Sequence, residues 1–137
     1  MIGDLTDAKL LEEEAKRADI ILNFADSDHA PSATALAKGA LAHSVDRPIF
    51  VIHTSGTGIL TWKTVESRTF GKLEDKVYDD WEHIKEVTSL PDNAAHRNVD
   101  KIFLEAGKNE SGPVHTAIVC PPTIYGVGRG PGNKRSQ

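Results

Sequence analysis

The stretch that most limits what this chain can fold into is residues 47–58, RPIFVIHTSGTG. Ile49, Phe50, Val51 and Ile52 form a short continuous apolar run rich in β-branched residues, bounded by Pro48 and by a hydroxyl- and glycine-rich turn. Such a run predicts a strand buried on both faces, in the middle of a parallel sheet. The turn at residues 54–58 then lies beyond the strand's carboxyl end, the edge at which open α/β sheets bind ligands.

The rest of the chain arranges itself around that strand. Residues 6–18 carry Leu10, Leu11, Ala15 and Ala18 at helical spacing with charged residues between them, and Thr6 or Asp4 can cap the start. Residues 19–25, DIILNFA, read as a second buried strand that ends in the polar turn Asp26-Ser27-Asp28-His29. After Pro31 comes a helix dominated by small residues (Ala33, Leu36, Ala37, Ala40, Leu41), suited to close packing. Helix and strand alternate here with short connections, which implies right-handed crossovers and a parallel sheet. Beyond Gly58 the pattern weakens. Residues 60–76 read as a long loop and residues 80–89 as a short helix. A longer helix follows, capped by Asp92 or Asn93, with Val99, Ile102, Phe103 and Ala106 on its buried side and Gly107 as its stop. Residues 114–120 predict a third strand.

Composition excludes several classes. A net charge of −4 gives no footprint for nucleic acid. No apolar run reaches the roughly 20 residues of a membrane span, and the first residues lack the layout of a signal peptide. One cysteine, Cys120, fits a reducing compartment, so a cytoplasmic protein is expected. Cys120 itself reads as a core filler, and the six histidines show no close metal-binding spacing.

Four segments, in order, are similar to the extended or atypical short-chain dehydrogenase/reductases, the NAD(P)-dependent epimerase/dehydratase type. Residues 3–7, GDLTD, resemble the turn after the family's third strand, where an aspartate meets the adenine. Residues 18–25, ADIILNFA, resemble its fourth strand, and residues 50–57, FVIHTSGT, its fifth strand and serine/threonine loop. Residues 119–126, VCPPTIYG, are close to the RPPxxYG segment after the sixth.

The resemblance implies an α/β fold: a partial Rossmann-like three-layer domain, its parallel sheet flanked by helices, with residues 1–137 as a single incomplete NAD(P)-binding domain. It implies NAD or NADP held by Asp4, Leu5, Phe24, Ala25, Thr54, Pro121 and Ile124, an unknown small-molecule substrate, and a possible homodimer through the helices. The family's glycine-rich fingerprint precedes the part matched here, so dinucleotide affinity is expected to be weak. The glycines of residues 126–132 are no substitute, since Pro131 leaves no helix to follow them. An interior slice of such a fold would also leave a sheet edge and an apolar helix seat exposed.

The family's proton donor is a tyrosine followed four residues later by a lysine, and this chain lacks the pair. One register places Lys101 at the lysine and Arg97 at the tyrosine; the other places His96 and Asp100 there. Arginine cannot release a proton at working pH. His96 can, and Asp100 one turn away would fix its tautomer; a plain surface ion pair is the competing reading. Ser55 and Thr57 are the hydroxyls placed to bond a substrate oxygen, with capping of the turn as the alternative. The expected function is an oxidoreductase-related NAD(P)-binding protein. The alternatives are a non-enzymatic dinucleotide-binding module and an inactive truncated gene product.

Overall fold

The computed structural model describes residues 3–127. The glycine-rich run at residues 126–132 therefore lies largely outside the described residues. In chain order the elements are α1 (Ala8–Ala15), β1 (Ile20–Asn23), α2 (Ala30–Ala40), β2 (Ile49–Thr54), a 3-10 turn (Thr57–Thr61), α3 (Trp62–Ser67), α4 (Ile84–Thr88), α5 (Arg97–Ala106) and β3 (Val114–Val119). The three strands form one parallel sheet in the order β1-β2-β3, with Asn23 paired to His53 and Thr54 to Val119. The α/β class, the parallel sheet and the central place of residues 49–54 are as expected.

Local chemistry sets the helix ends. Asp7 caps α1, its Oδ1 accepting from the Leu10 amide at 3.0 Å, while Asp4 accepts instead from the hydroxyl and amide of Thr6. His29 opens α2, its Nδ1 accepting from the Ser32 amide at 3.2 Å, with Pro31 in the first turn, where no amide is needed. The expected cap of α5 is displaced. Asp92 is held by Lys101 at 2.8 Å, and the residue preceding the helix is His96, in the left-handed conformation (φ 62°) and making no side-chain cap. Gly107 closes α5 as anticipated.

One face of the sheet carries the core. Ile21, Ile49, Val51 and Val114 pack with Ala33, Ala37 and Ala40 of α2 and with Val99 and Phe103 of α5. Successive side chains of a strand point to opposite faces, so their neighbours face the other way. Ile20, Leu22, Phe50 and Val119 lie about half exposed there. Burial of residues 49–52 on both faces is thus not found, because the described helices pack against a single face: Ile49 is sealed while Phe50 is 49% exposed. Phe50 stacks on His115 of β3 instead, ring centroids 5.2 Å apart.

The small residues of α2 do what their size permits. At Gly39 a Cβ would stand 2.4 Å from the Glu12 carbonyl oxygen and 2.5 Å from Ala15 Cβ, so α1 and α2 meet backbone to backbone. Residues 60–76, expected as loop, include α3. A second apolar cluster of Ile59, Leu90 and Ala94, flanked by Trp62, Tyr78 and Cys120, anchors this region, and Trp62 Nε1 donates to the Tyr78 hydroxyl at 3.0 Å. Among the described residues no helix is long and apolar enough to cross a membrane.

Candidate functional site

Four segments converge at the carboxyl edge of the sheet: the turn after β1, the turn after β2, the start of α5, and the exit of β3. Their meeting follows from the parallel order, which delivers every strand's end to the same side. The Ser55 amide donates to the Val119 carbonyl at 2.9 Å and fixes the second turn against the third strand.

Below the edge runs a buried polar chain. Asn23 Nδ2 donates to His53 Nδ1 at 3.0 Å, which leaves the ring proton on Nε2, facing α5. His53 Nε2 stands 3.2 Å from Asp100 Oδ1, yet the two are out of line and neither atom makes a hydrogen bond. Asp100 Oδ2 accepts from the Ser55 hydroxyl at 2.9 Å. All four residues are buried. The His53 ring also packs against Phe103, centroids 4.8 Å apart. Ser55 is bonded to a carboxylate rather than to a histidine, so no Ser–His nucleophile is assembled. With its proton turned toward Asp100, the buried Ser55 oxygen has the Cys120 thiol packed beside it.

Over the turn sits His96. Its Nδ1 is 2.8 Å from Asp28 Oδ1 and 3.2 Å from Ser27 Oγ. Its Nε2 points at the glycines of the β2 turn: a Cβ on Gly56 would meet it at 2.9 Å, and one on Gly58 at 3.5 Å. The left-handed backbone at His96 turns the ring this way, because the residue precedes α5 rather than lying on it. The tautomer-fixing partner is therefore Asp28, and Asp100, the partner anticipated from helical spacing, is occupied below by Ser55. A histidine held at Nδ1 by a carboxylate with Nε2 unbonded is a group that can take and return a proton.

The other residues singled out from the sequence scatter. Asp4, Leu5 and Ala25 line one hollow of about 390 Å³ with Leu10, Leu11 and Glu14. Hydrogen bonds from the Thr6 hydroxyl and then its amide hold the Asp4 carboxyl below the usual carboxylate range. Thr54 ends β2 and Thr57 opens the 3-10 turn, both half-buried. Phe24 is exposed beside the bare sheet face, Pro121 half-buried, and Ile124 exposed. Lys101 is not at the edge. It lines a groove of about 740 Å³ between α2 and α5, with Lys38, Leu41 and Ile102, and its ammonium, hydrogen-bonded to Asp92, draws that carboxyl below its ordinary value. Cys120 packs beside Ser55 and Asp100, and burial pushes its thiol up.

Residues missed in the sequence are Asn23, His53 and Asp28. The first two were detectable: His53 shares the parity of Ile49 and Val51, so a polar side chain was bound to face the core. Asp28 carried no such signal, since its contact with His96 spans 68 residues.

No protein-family model and no solved structure matches this chain. A curated protein named oxidase ucsJ, from an Acremonium species, is 41% identical over 128 residues. The aligned part is 93% of this chain and 37% of that relative, so the chain spans little more than a third of the relative's length. Over that part, then, the chain is related to a fungal oxidase.

Proposed function

We propose that this chain forms the substrate-facing edge of an NAD(P)-dependent oxidoreductase of the epimerase/dehydratase type, with His96 moving the proton. The observation that carries this is the 2.8 Å contact between His96 Nδ1 and Asp28 at the carboxyl edge of a parallel sheet; the relation to an oxidase supports it. A bound nicotinamide would accept or supply hydride. Asp4, Leu5 and Ala25 suit the adenine end, because their hollow is mainly apolar and rimmed by a carboxylate that Thr6 holds ionised. Thr54, Pro121 and Ile124, which follow from the ends of β2 and β3, are assigned to the nicotinamide end. The fit is partial. Among the described residues the glycine-bearing turn after β2 leads only into a 3-10 turn and the six-residue α3, which gives a diphosphate no long helix to face.

Within the chain the roles divide. Ser55 holds the turn beneath the substrate, its own proton being committed to Asp100 at 2.9 Å. The substrate hydroxyl donates to His96 Nε2, which takes that proton as the carbon gives up hydride and a carbonyl forms, and Asp28 stabilises the resulting imidazolium. Beneath them Asn23 orients the His53 ring beside Asp100, with no hydrogen bond between ring and carboxylate.

A second reading, a dinucleotide-binding module without turnover, is favoured by the arginine at residue 97, where the resemblance puts a phenol in one register. Titration of the full chain with NAD and with NADP, followed by Trp62 and Trp81 fluorescence, tests both readings together with an alcohol and aldehyde panel. Binding with turnover that His96→Asn removes supports the first. Binding without turnover supports the second, and no binding of either dinucleotide defeats both.

A further inference from the structure

Arg97 is buried at the start of α5. The residue is 8% exposed, and its Nε is shut off from solvent and makes no hydrogen bond among the described residues. Among the described residues its guanidinium makes no hydrogen bond and no ion pair, although carboxylates surround the start of α5. Asp28 is engaged by His96 at 2.8 Å and Asp92 by Lys101 at 2.8 Å, while Asp100 accepts from Ser55 at 2.9 Å through Oδ2 alone, its Oδ1 staying buried and unbonded. Arginine stays charged when buried, and a buried charge is tolerated when something of opposite sign faces it.

The direction of the side chain follows from helix geometry. Helical side chains lean toward the N-terminus, so the guanidinium lies at the opening turn of α5. Its field also reaches Asp92 in the preceding loop, behind the larger effect of Lys101. That turn has no side-chain cap, although the amides of Arg97 and Val99 are bonded to the Ala94 and His96 carbonyls, and the helix dipole adds partial positive charge on the same side. Asp100 follows Arg97 by three residues on this ten-residue helix, about 4.5 Å along the axis. Asp100 in turn accepts from Ser55, which ties this face of the helix to the turn after β2.

Building on the reading of this edge as a substrate site, we propose that Arg97 receives an anionic group of the substrate, a carboxylate or similar oxyanion. The guanidinium fork matches the two oxygens of such a group, and the uncapped turn of α5 stands behind it. The substrate class is then a hydroxy or oxo compound bearing an acid group, oriented by Arg97 with its reacting oxygen over Ser55.

The test uses acetate and inorganic phosphate as probes, titrated into the full-length chain at an ionic strength held constant with chloride. The Arg97 Nε–H resonance is expected to shift saturably with acetate, and the thermal midpoint to rise with the probe. Arg97→Gln should weaken probe binding about ten- to a hundred-fold, as loss of a charge-assisted hydrogen bond does, and Arg97→Lys should restore part of it. A merely structural arginine gives the opposite pattern, in which Arg97→Gln lowers the midpoint equally in chloride and in probe and leaves the anion-dependent rise intact. An Nε–H signal that ignores acetate and phosphate in the wild-type chain overturns the proposal without any variant. A signal moved by NADP or phosphate but not by acetate assigns Arg97 to the cofactor's phosphates and overturns the substrate assignment. A response to acetate in a chain that binds no dinucleotide upholds the anion site while the oxidoreductase reading fails.

Discussion

Replacing Gly56 with alanine separates the geometry of the site from the stability of the fold. Gly56 is extended (φ −154°, ψ 149°), so alanine adopts its backbone without strain. Removing a glycine from the unfolded chain at such a position stabilises by about 0.4–1 kcal/mol. Against this, the new Cβ would stand 2.9 Å from His96 Nε2, closer than such atoms tolerate. The obstructing atom is the far end of a side chain, so His96 swings away and loses its 2.8 Å contact with Asp28. That contact is partly solvated, Asp28 being largely exposed, and pairs of this kind contribute about 0.2–1 kcal/mol. The two terms nearly cancel, and the net change in stability should lie within about 1 kcal/mol of zero. The position of His96 should nevertheless change. Urea unfolding measures the first quantity, and the carbon-bound ring proton signals of His96 report the second. A loss above about 2 kcal/mol would mean that the clash is absorbed by the backbone. Unchanged His96 signals would mean that the ring does not stand over the turn. Either result refutes the arrangement described.

Gly39→Ala should go the other way, because there the new Cβ meets the Glu12 carbonyl and Ala15 Cβ, which cannot rotate aside. Overpacking of about 1–3 kcal/mol exceeds the roughly 1 kcal/mol gained in helix propensity. A higher thermal midpoint in this variant would show that α1 sits farther from α2. Burial raises the Cys120 thiol, so the folded chain should react with iodoacetamide more slowly than the urea-unfolded chain at the same mildly alkaline pH. The folded state holds that proton more tightly. Its contribution to stability is therefore complete below the unfolded thiol's pKa and fades as pH rises through the folded value. Equal alkylation rates in the two states would contradict this.

The sheet was legible because its signals are local. The apolar runs at residues 20–22 and 49–52, the punctuating Pro48, and the stop at Gly107 each announce themselves within a few positions. The expected exposure of an apolar seat was legible too, and it corresponds to the bare face bearing Leu22 and Phe50. The edge chemistry was less so. His96 was picked out with the wrong partner, because helical spacing joins it to Asp100 only if residue 96 lies on the helix, and its left-handed backbone puts it outside. Lys101 was placed by analogy at the edge, whereas it lies one turn farther along α5 than Arg97 and is tied to Asp92. Ser55 was selected as a hydroxyl beside the strand, but the direction of its proton depends on Asp100, 45 residues away. Contacts of that range leave no trace in local pattern.

Because the described helices shelter a single side of the sheet, adjacent positions on a strand answer to different surroundings. A saturation scan should therefore swing with every residue: charges rejected at Ile21 and Val51, accepted at Ile20, Leu22 and Phe50. An even intolerance across both parities would mean that in solution another layer of protein lies over those rings and methyl groups. The rhythm of tolerated substitutions is thus a gauge of how much of the sheet this polypeptide has to cover by itself.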